Sequence, residues 1–299
     1  MSEVNAQYLA KSPKFIGLIP RILCKKNIGY QLGTSLPDTS IWLKNVKFDA
    51  NHMASFNHTV DWQQPSILHP GYLHTLAFPI QLKLMLQQSF PFSIIGLVHV
   101  HNKIEQSKPV RINDKVDICC KFGELVKQDA GVSFTINSTF YVDNVCVLSA
   151  QHQYLKREIR QNKPTRTVTA EPVFLATPQS QLWSLSSALG RQYARCSADY
   201  NPIHLHRLSA KLFGFKRHII HGMWLKSRII SALCNQQDAI FTSPFSCEVE
   251  FKKPLYLPNV VRFHKQLVEQ AQNYKGFEFK VISDNNNLPV EHMSGRLLF

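Results

Sequence analysis

The chain is short of acid. Its 299 residues carry 20 Asp and Glu against 34 Lys and Arg, a formal net charge of +14. An excess of that size favours anionic partners: nucleic acid, a membrane surface or a phosphate-bearing small molecule. Glycine is sparse, at 12 residues beside 16 prolines, which excludes collagen-like and low-complexity classes. Charged residues make up only 18% and hydrophobic ones 44%, which excludes wholesale disorder. No Cys-x-x-Cys occurs. The seven cysteines are odd in number and two of them, Cys119 and Cys120, are adjacent. That pattern argues against a disulfide framework and for free thiols in a reducing cytoplasm. There is no run of 18 apolar residues, so no membrane-spanning helix is expected. The opening MSEVNAQYLAKSP has no apolar core and an early Glu3, so no secretory signal is expected there.

At about 150 residues per domain, the length suggests two domains. Residues 1–35 stand apart as a basic N-terminal arm, mixing apolar residues with Lys14, Arg21, Lys25 and Lys26. One reading is a peripheral membrane contact through a basic amphipathic stretch. The other is an arm that packs on the fold. Pro13, Pro20 and two glycines interrupt any long helix and favour the second. Residues 156–172, KREIRQNKPTRTVTAEP, are polar, basic and Pro-containing, which suits a linker. An N-terminal domain is therefore expected over 36–155 and a C-terminal one over 173–299.

The two halves echo each other. Lys108-Pro109-Val110 through Val116 matches Lys253-Pro254-Leu255 through Val261. Each follows a strand-like segment, GLVHVHNKIEQS or FSCEVEFK, and leads into segments of alternating polarity. These are VDICCKF, VSFTINSTFYV and VCVLSAQHQYL in the first half. In the second they are VRFHKQLV, FEFKVI and HMSGRLLF. Alternation of this kind predicts half-buried antiparallel strands. One apolar helical stretch precedes each set, TLAFPIQLKLMLQQ and GMWLKSRIISALCNQ. The expectation is an α+β fold with two long central helices, each wrapped by a curved antiparallel sheet.

Chemistry concentrates between Tyr193 and Trp224. Asp199-Tyr200-Asn201-Pro202 is first a turn signal. It also sets Asp199 and His204 five residues apart across a proline-fixed turn, a spacing that can bring a carboxylate and an imidazole into one pocket. Such a pair can hold a water and move protons, since histidine titrates near neutrality. Further on, Ile219-Ile220-His221-Gly222-Met223 opens the second apolar helix. Glycine at a helix start admits close approach of a ligand, and its N–H, backed by the helix dipole, can donate to a carbonyl that becomes an oxyanion. The ordinary alternative is a glycine at a helix cap.

Together these residues resemble the hydratase motif of the MaoC-like family, the (R)-specific enoyl-thioester hydratases and 3-hydroxyacyl-thioester dehydratases. The resemblance rests on Tyr193-Ala194, Ser197-Ala198-Asp199, Asn201-Pro202-Ile203-His204, Ala210, Gly214-Phe215 and Ile219 through Met223. It extends more loosely over 36–299. It implies a double hotdog fold with a degenerate first domain and a site where the halves meet. It implies Asp199 and His204 as the catalytic dyad, Gly222 as the oxyanion donor, and Asn201, His221 and Ser197 as supports. Tyr200, Met223, Phe215 and Arg217 would contact substrate. It implies an acyl thioester of coenzyme A or acyl carrier protein as substrate, with no metal and no redox cofactor. The chain would act as monomer or homodimer. No Asp-x-x-x-x-His occurs in the first half, so one site per chain is expected. The first half would then shape an acyl tunnel, with a central helix shortened or broken at Pro79.

Three positions depart from the family pattern. Ala198 stands where glycine is usual, His206 where aspartate is usual, and Ile230 where a serine is found, with Ser227 and Ser231 nearby. His218, beside Arg217, reads as a basic surface residue. A zinc site among the clustered histidines is disfavoured because no cysteine has finger spacing. Residues 155–217 hold 11 Lys and Arg against 3 Asp and Glu, which suits coenzyme A phosphates or an acidic carrier face. No helix-turn-helix, zinc finger or aromatic platform accompanies that charge, so nucleic acid is not expected. The same fold class hosts thioesterases and acyl-binding modules, which are the alternatives.

Overall fold

The computed structural model describes residues 5–64, 66–158, 180–235, 244–270, 274–285 and 288–299. Two central helices organise it: α3 (Pro70–Met85) in the first half and α6 (Gly222–Cys234) in the second. Both are apolar on nearly every side and buried accordingly, the signature of a core helix rather than a surface one.

The strands of the first half are β2 (Ser40–Val46), β3 (Leu97–Gln106), β4 (Val116–Gln128), β5 (Gly131–Val142) and β6 (Val145–Arg157). Those of the second are β7 (Gln181–Leu185), β8 (Phe245–Phe251), β9 (Asn259–Gln270), β10 (Tyr274–Asn285) and β11 (Leu288–Leu298). Each half repeats one order outward from the seam. With β1 (Ala6–Leu9) added at one edge, the halves join through the antiparallel pair β3–β8 into a single sheet, β1-β2-β4-β5-β6-β3-β8-β11-β10-β9-β7. Leaving aside β1, which has no counterpart, the order is a palindrome of equivalents. The sequence echo runs from 108 to 253, and the same offset carries Lys103 onto Glu248. Those two residues face each other across the seam. A pseudo-twofold axis therefore passes through the Lys103–Glu248 pair, and the single chain imitates a symmetric dimer.

The arm contributes β1 (Ala6–Leu9), which pairs in parallel with β2 at the sheet edge, and helix α1 (Phe15–Cys24). This helix forms despite Pro20, with Leu18 buried against the core. The arm is further tied down where the backbone N–H groups of Ile28 and Gly29 donate to the Pro91 carbonyl, at 2.8 and 3.0 Å. Lys156 and Arg157, expected in the linker, end strand β6 instead. The rest of that expected linker, 159–172, lies outside the described residues. Helix α3 is neither short nor broken: its 16 residues exceed the 13 of α6. Pro79 costs one intrahelical hydrogen bond, which burial of the whole helix offsets. Among the described residues no helix is long and apolar enough to cross a membrane. All seven cysteines are free thiols.

The two central helices cross where both are small. A β-carbon at Gly71 would stand 2.1 Å from Ser227 Oγ. Beside it, His69 donates from Nε2 to the Ser227 carbonyl at 3.0 Å and accepts at Nδ1 from Gly71 N–H at 2.8 Å. Burial pushes the pKa of His69 down to about 3, the Ser227 bond only partly opposing it. His74, on α3, is pushed down to about 3 by burial and by the charge of Lys226. Both must be neutral in the fold and both titrate near 6.5 when unfolded. Their stabilising effect is thus complete above pH 6.5 and is lost as pH falls from there toward 3. By linkage each contributes roughly 2 kcal/mol less at about pH 5 than at neutrality. Urea unfolding at pH 7.5 and pH 5.0 is expected to show a clearly lower midpoint in acid. Equal midpoints would mean that these imidazoles are not held neutral.

Candidate active site

Helix α4 (Leu189–Ser197) ends at Ala198, which takes the left-handed conformation at φ 57°. Asp199 follows on a tight loop. Ser197 Oγ accepts from Asp199 N–H at 3.2 Å, and Asp199 Oδ1 accepts from Asn201 N–H at 3.2 Å. Asn201 then caps the next turn, its Oδ1 accepting from Ile203 N–H at 3.3 Å. That turn is a 3-10 segment, Pro202–His204. A short helix, α5 (Arg207–Leu212), comes next and is capped by the His206 side chain.

Three side chains converge here. Asp199, His204 and His221 each bring one ligand-type atom within 4.8 Å of the others, the single such group among the described residues. The imidazoles of His204 and His221 stack with centroids 3.7 Å apart. His204 Nδ1 lies 2.8 Å from the Ile219 carbonyl oxygen. A carbonyl only accepts, so Nδ1 carries the proton and Nε2 is the basic nitrogen. By the same logic His221 donates from Nε2 to the Asp199 carbonyl at 2.9 Å. Each imidazole thus spends one nitrogen on the backbone. Burial lowers the pKa of His204, with Asp199 and the Ile219 carbonyl opposing. Burial drives His221 well below the ordinary imidazole range, and His204 adds to the effect. Burial raises the Asp199 carboxyl, with His204 and the Asn201 N–H opposing. Its side chain keeps 26% of its surface accessible, so the group is reachable from outside.

Gly222 is the first residue of α6, and its helix terminus has no side-chain cap. The first-turn N–H groups are therefore open to a ligand. A β-carbon on Gly222 would stand 2.6 Å from the Phe251 ring. That ring lies 4.7 Å from His99 of the first half, which in turn stacks on Tyr154 at 4.7 Å. The wall beyond Gly222 is thus built by both halves.

The other residues singled out in the sequence are spread around this centre. Met223 is buried behind Gly222. Tyr200 is exposed and meets the Phe15 ring of α1 at 5.6 Å. Phe215 is half-buried after α5, and the exposed Arg217 sits 5.9 Å from the Tyr256 ring. His218 is not a surface residue. It is buried and donates from Nε2 to the Ser187 carbonyl at 2.9 Å, because the return from α5 passes under the loop before α4.

Sequence reasoning missed the residues that hold the pair in place. Gly190 is one: a β-carbon there would stand 2.1 Å from the His204 carbonyl oxygen, so α4 can approach only without a side chain. Ile219 is another, gripping the 3-10 turn through its N–H to Ile203 O at 3.0 Å as well as through its carbonyl. Arg191 donates to the Leu205 carbonyl at 2.9 Å. A glycine inside a helix and a backbone carbonyl leave no mark in a pattern of side chains.

Among the described residues the first half has no second cluster of this kind. Helix α2 (Ala50–Val60) ends at Asp61, again left-handed at φ 57°, so Trp62 stands where the second half has Asp199. Isolated bridges then pair Ile67 with Arg111 and Ile219 with Tyr256, at equivalent places. The first half covers this path directly, whereas the second inserts the 3-10 turn and α5, and His204 lies on that insertion.

Fold and site together define a class. The crystal structure of HtdX of Mycobacterium tuberculosis superposes with a TM-score of 0.70 at 21% identity, covering 86% of this chain and 98% of that one. A conserved protein of the same organism, described as a double hotdog, superposes at 0.56 and 11% identity, covering 96% and 98%. The architecture is therefore a double hotdog. Residues 160–287 match the family model of the MaoC like domain. A curated relative, 3-hydroxyacyl-thioester dehydratase X of Mycobacterium tuberculosis, is 26% identical over 227 residues, 75% of this chain and 78% of that protein. The C-terminal part of the chain thus matches the MaoC like domain, and the chain as a whole is similar to a 3-hydroxyacyl-thioester dehydratase in sequence and to HtdX in fold.

Ala198 makes the site's geometry testable. A left-handed backbone costs a non-glycine residue about 1 kcal/mol. Ala198→Gly is expected to raise the unfolding free energy by about that amount, read as a higher urea midpoint. An unchanged or lower midpoint would show that the turn carries no strain to relieve.

Proposed function

We propose that the chain interconverts trans-2-enoyl and (3R)-hydroxyacyl thioesters by adding or removing water, with Asp199 and His204 as the dyad. The observation that carries this reading is the commitment of His204 Nδ1 to the Ile219 carbonyl. It leaves Nε2 as a base beside a reachable carboxylate, at the open N–H end of α6. The match to the MaoC like domain and the dehydratase name of the relative support the reaction class.

In the hydration direction the dyad takes a proton from water as its oxygen bonds to C3 of the enoyl thioester. The C2–C3 π electrons move to the thioester oxygen, and Gly222 N–H stabilises the resulting enolate. The dyad returns a proton to C2, so one water is consumed and the dyad ends as it began. Dehydration reverses each step. Ser197 and Asn201 hold the Asp199 loop, and His221 holds it from below through the Asp199 carbonyl. The basic surface around the site suits the phosphates of coenzyme A or an acidic acyl carrier protein.

The test is turnover of a chain-length series of trans-2-enoyl-CoA and enoyl carrier-protein substrates, followed by loss of enoyl-thioester absorbance. Wild type is expected to turn over, and Asp199→Asn to lose on the order of 10²–10⁴-fold in kcat. Release of free thiol with no hydration would replace this reading with a thioesterase. Binding of substrate with no product would replace it with an acyl-binding module.

Gly190→Ala probes positioning. Its β-carbon would push on the carbonyl of His204 itself, moving the imidazole without touching substrate. The expected result is a fall in kcat on the order of 100-fold with KM little changed. A rise in KM alone would mean that Gly190 shapes substrate binding instead.

A further inference from the structure

Helix α1 is apolar on more of its circumference than its packing uses. Phe15, Leu18 and Ile22 face the core. One residue along, Ile16, Ile19 and Leu23 repeat the same spacing and face outward, with Ile16 78% and Leu23 65% exposed. Past the helix, Ile28 is also exposed and Leu32 is 99% exposed. A surface helix of a freely soluble protein normally turns charged and polar residues outward. A concentration of exposed aliphatic side chains in one short segment marks an interaction surface.

The charge around these side chains has one sign. From residue 4 to residue 37 there is no Asp or Glu, while Lys11, Lys14, Arg21, Lys25 and Lys26 lie within the same stretch. Lys25 is engaged with the Gln87 carbonyl at 2.7 Å. Lys11, Lys14, Arg21 and Lys26 are exposed, and no ion pair among the described residues includes them. These exposed apolar residues are aliphatic and lie on the outer face of α1 and the loop after it. They lack the Trp and Tyr anchors and the concave pocket typical of a protein–protein hot spot. Aliphatic side chains to dip below the headgroups, ringed by uncompensated cations, fit an anionic lipid surface.

We propose that α1 and the loop after it dock the protein on an anionic phospholipid bilayer, with Ile16, Ile19, Leu23, Ile28 and Leu32 as the inserting residues. The inference stands apart from the proposed reaction. It has a consequence for the site all the same, because the inner face of α1 rests on the loop of Asp199 through the contact of Phe15 with Tyr200. Docking would hold the loop of Asp199 close to the bilayer, with α1 between them.

The test is co-sedimentation of the full chain with sucrose-loaded vesicles. One set is pure phosphatidylcholine, and the other is phosphatidylcholine and phosphatidylglycerol at seven to three. Binding to the anionic set is expected to be tighter by roughly tenfold or more and to fall at high salt. Ile16→Ser/Ile19→Ser/Leu23→Ser and, separately, Lys11→Gln/Lys14→Gln/Arg21→Gln/Lys26→Gln are each expected to lose it. Circular dichroism and thermal unfolding serve as the check that both variants fold, and the charge variant leaves all core packing intact. Absence of binding, equal binding to both vesicle sets, or full binding by folded variants would overturn the proposal. So would a wild-type dimer that the serine variant dissociates, or an acidic carrier protein that binds this face where vesicles do not.

Discussion

The interior of this molecule is arranged around one ammonium group. Lys226 is completely buried on α6, and its Nζ donates to the main-chain and side-chain oxygens of Asn102 and to the carbonyl of Cys247. Asn102 lies on β3 and Cys247 on β8, so one side chain clamps a helix of the second half onto the seam that joins both halves. A buried charge is costly unless its hydrogen-bonding capacity is filled, and here three acceptors fill it. The contact fixes the depth of α6, and Gly222 sits one turn earlier on the same helix. Lys226 also sets the electrostatics around it. Burial brings its own pKa down to about 8, with Cys247 and Glu248 opposing, so it stays largely protonated near neutrality. Its charge adds to burial in holding His74, His99 and His152 neutral. A cationic imidazole could not share that space.

Around this clamp the chain is a duplicated unit whose copies have separated in one respect. The strand order, the left-handed residue after α2 and α4, and the two equivalent bridges all obey the pseudo-twofold axis. What breaks the symmetry is the insertion carrying the 3-10 turn and α5, together with Trp62 at the place of Asp199. Trp62 is buried and donates from Nε1 to the Ile67 carbonyl at 3.0 Å. The first half thus closes its turn with an indole and a backbone carbonyl. The second opens the same turn, extends it and sets a carboxylate and an imidazole in the gap. The central helix of the first half is buried along its length and runs unbroken through Pro79.

Much of this was legible before the structure. Alternating polarity marked β3 to β6 and β8 to β11, because half-buried strands must alternate. The echo of Lys108–Val116 at Lys253–Val261 marked the duplication. The convergence of Asp199 and His204, and the place of Gly222 at the start of α6, were readable because those residue types and their spacing carry the signal themselves. Helix α2 was not, since ANHMASFNHTV has a weak apolar stripe and draws its stability from Phe56 and Val60 packing inward. Lys226 was not, since a lysine in an apolar run reads as a surface residue until its three acceptors are seen. His218 misled for the same reason in reverse: its basic neighbours face solvent while its own ring turns in. The supports at Gly190 and Ile219 act through a missing side chain and a carbonyl, which no residue pattern records.

The departures from the family motif find local explanations that leave the dyad alone. Ala198 occupies a turn that is left-handed in both halves, with Asp61 in the same conformation at the other end of the pseudo-symmetry. The first-half turn carries no dyad and keeps that geometry, so the conformation is a demand of the fold and alanine there bears on stability. His206 replaces an aspartate as the cap of α5, a role its ring nitrogen fills by accepting from Leu208 N–H at 3.3 Å. Ile230 is fully buried among core residues, where a hydroxyl would need a partner, and Ser227 already turns its own hydroxyl onto the Met223 carbonyl at 2.8 Å. Each substitution is thus absorbed by capping, packing or backbone strain within its own element. The contacts that orient Asp199 and His204 run instead through Ser197, Asn201, Ile219 and the carbonyl of Asp199 itself. Those two sets share no residue, which is how a motif can drift at three positions while its central geometry persists.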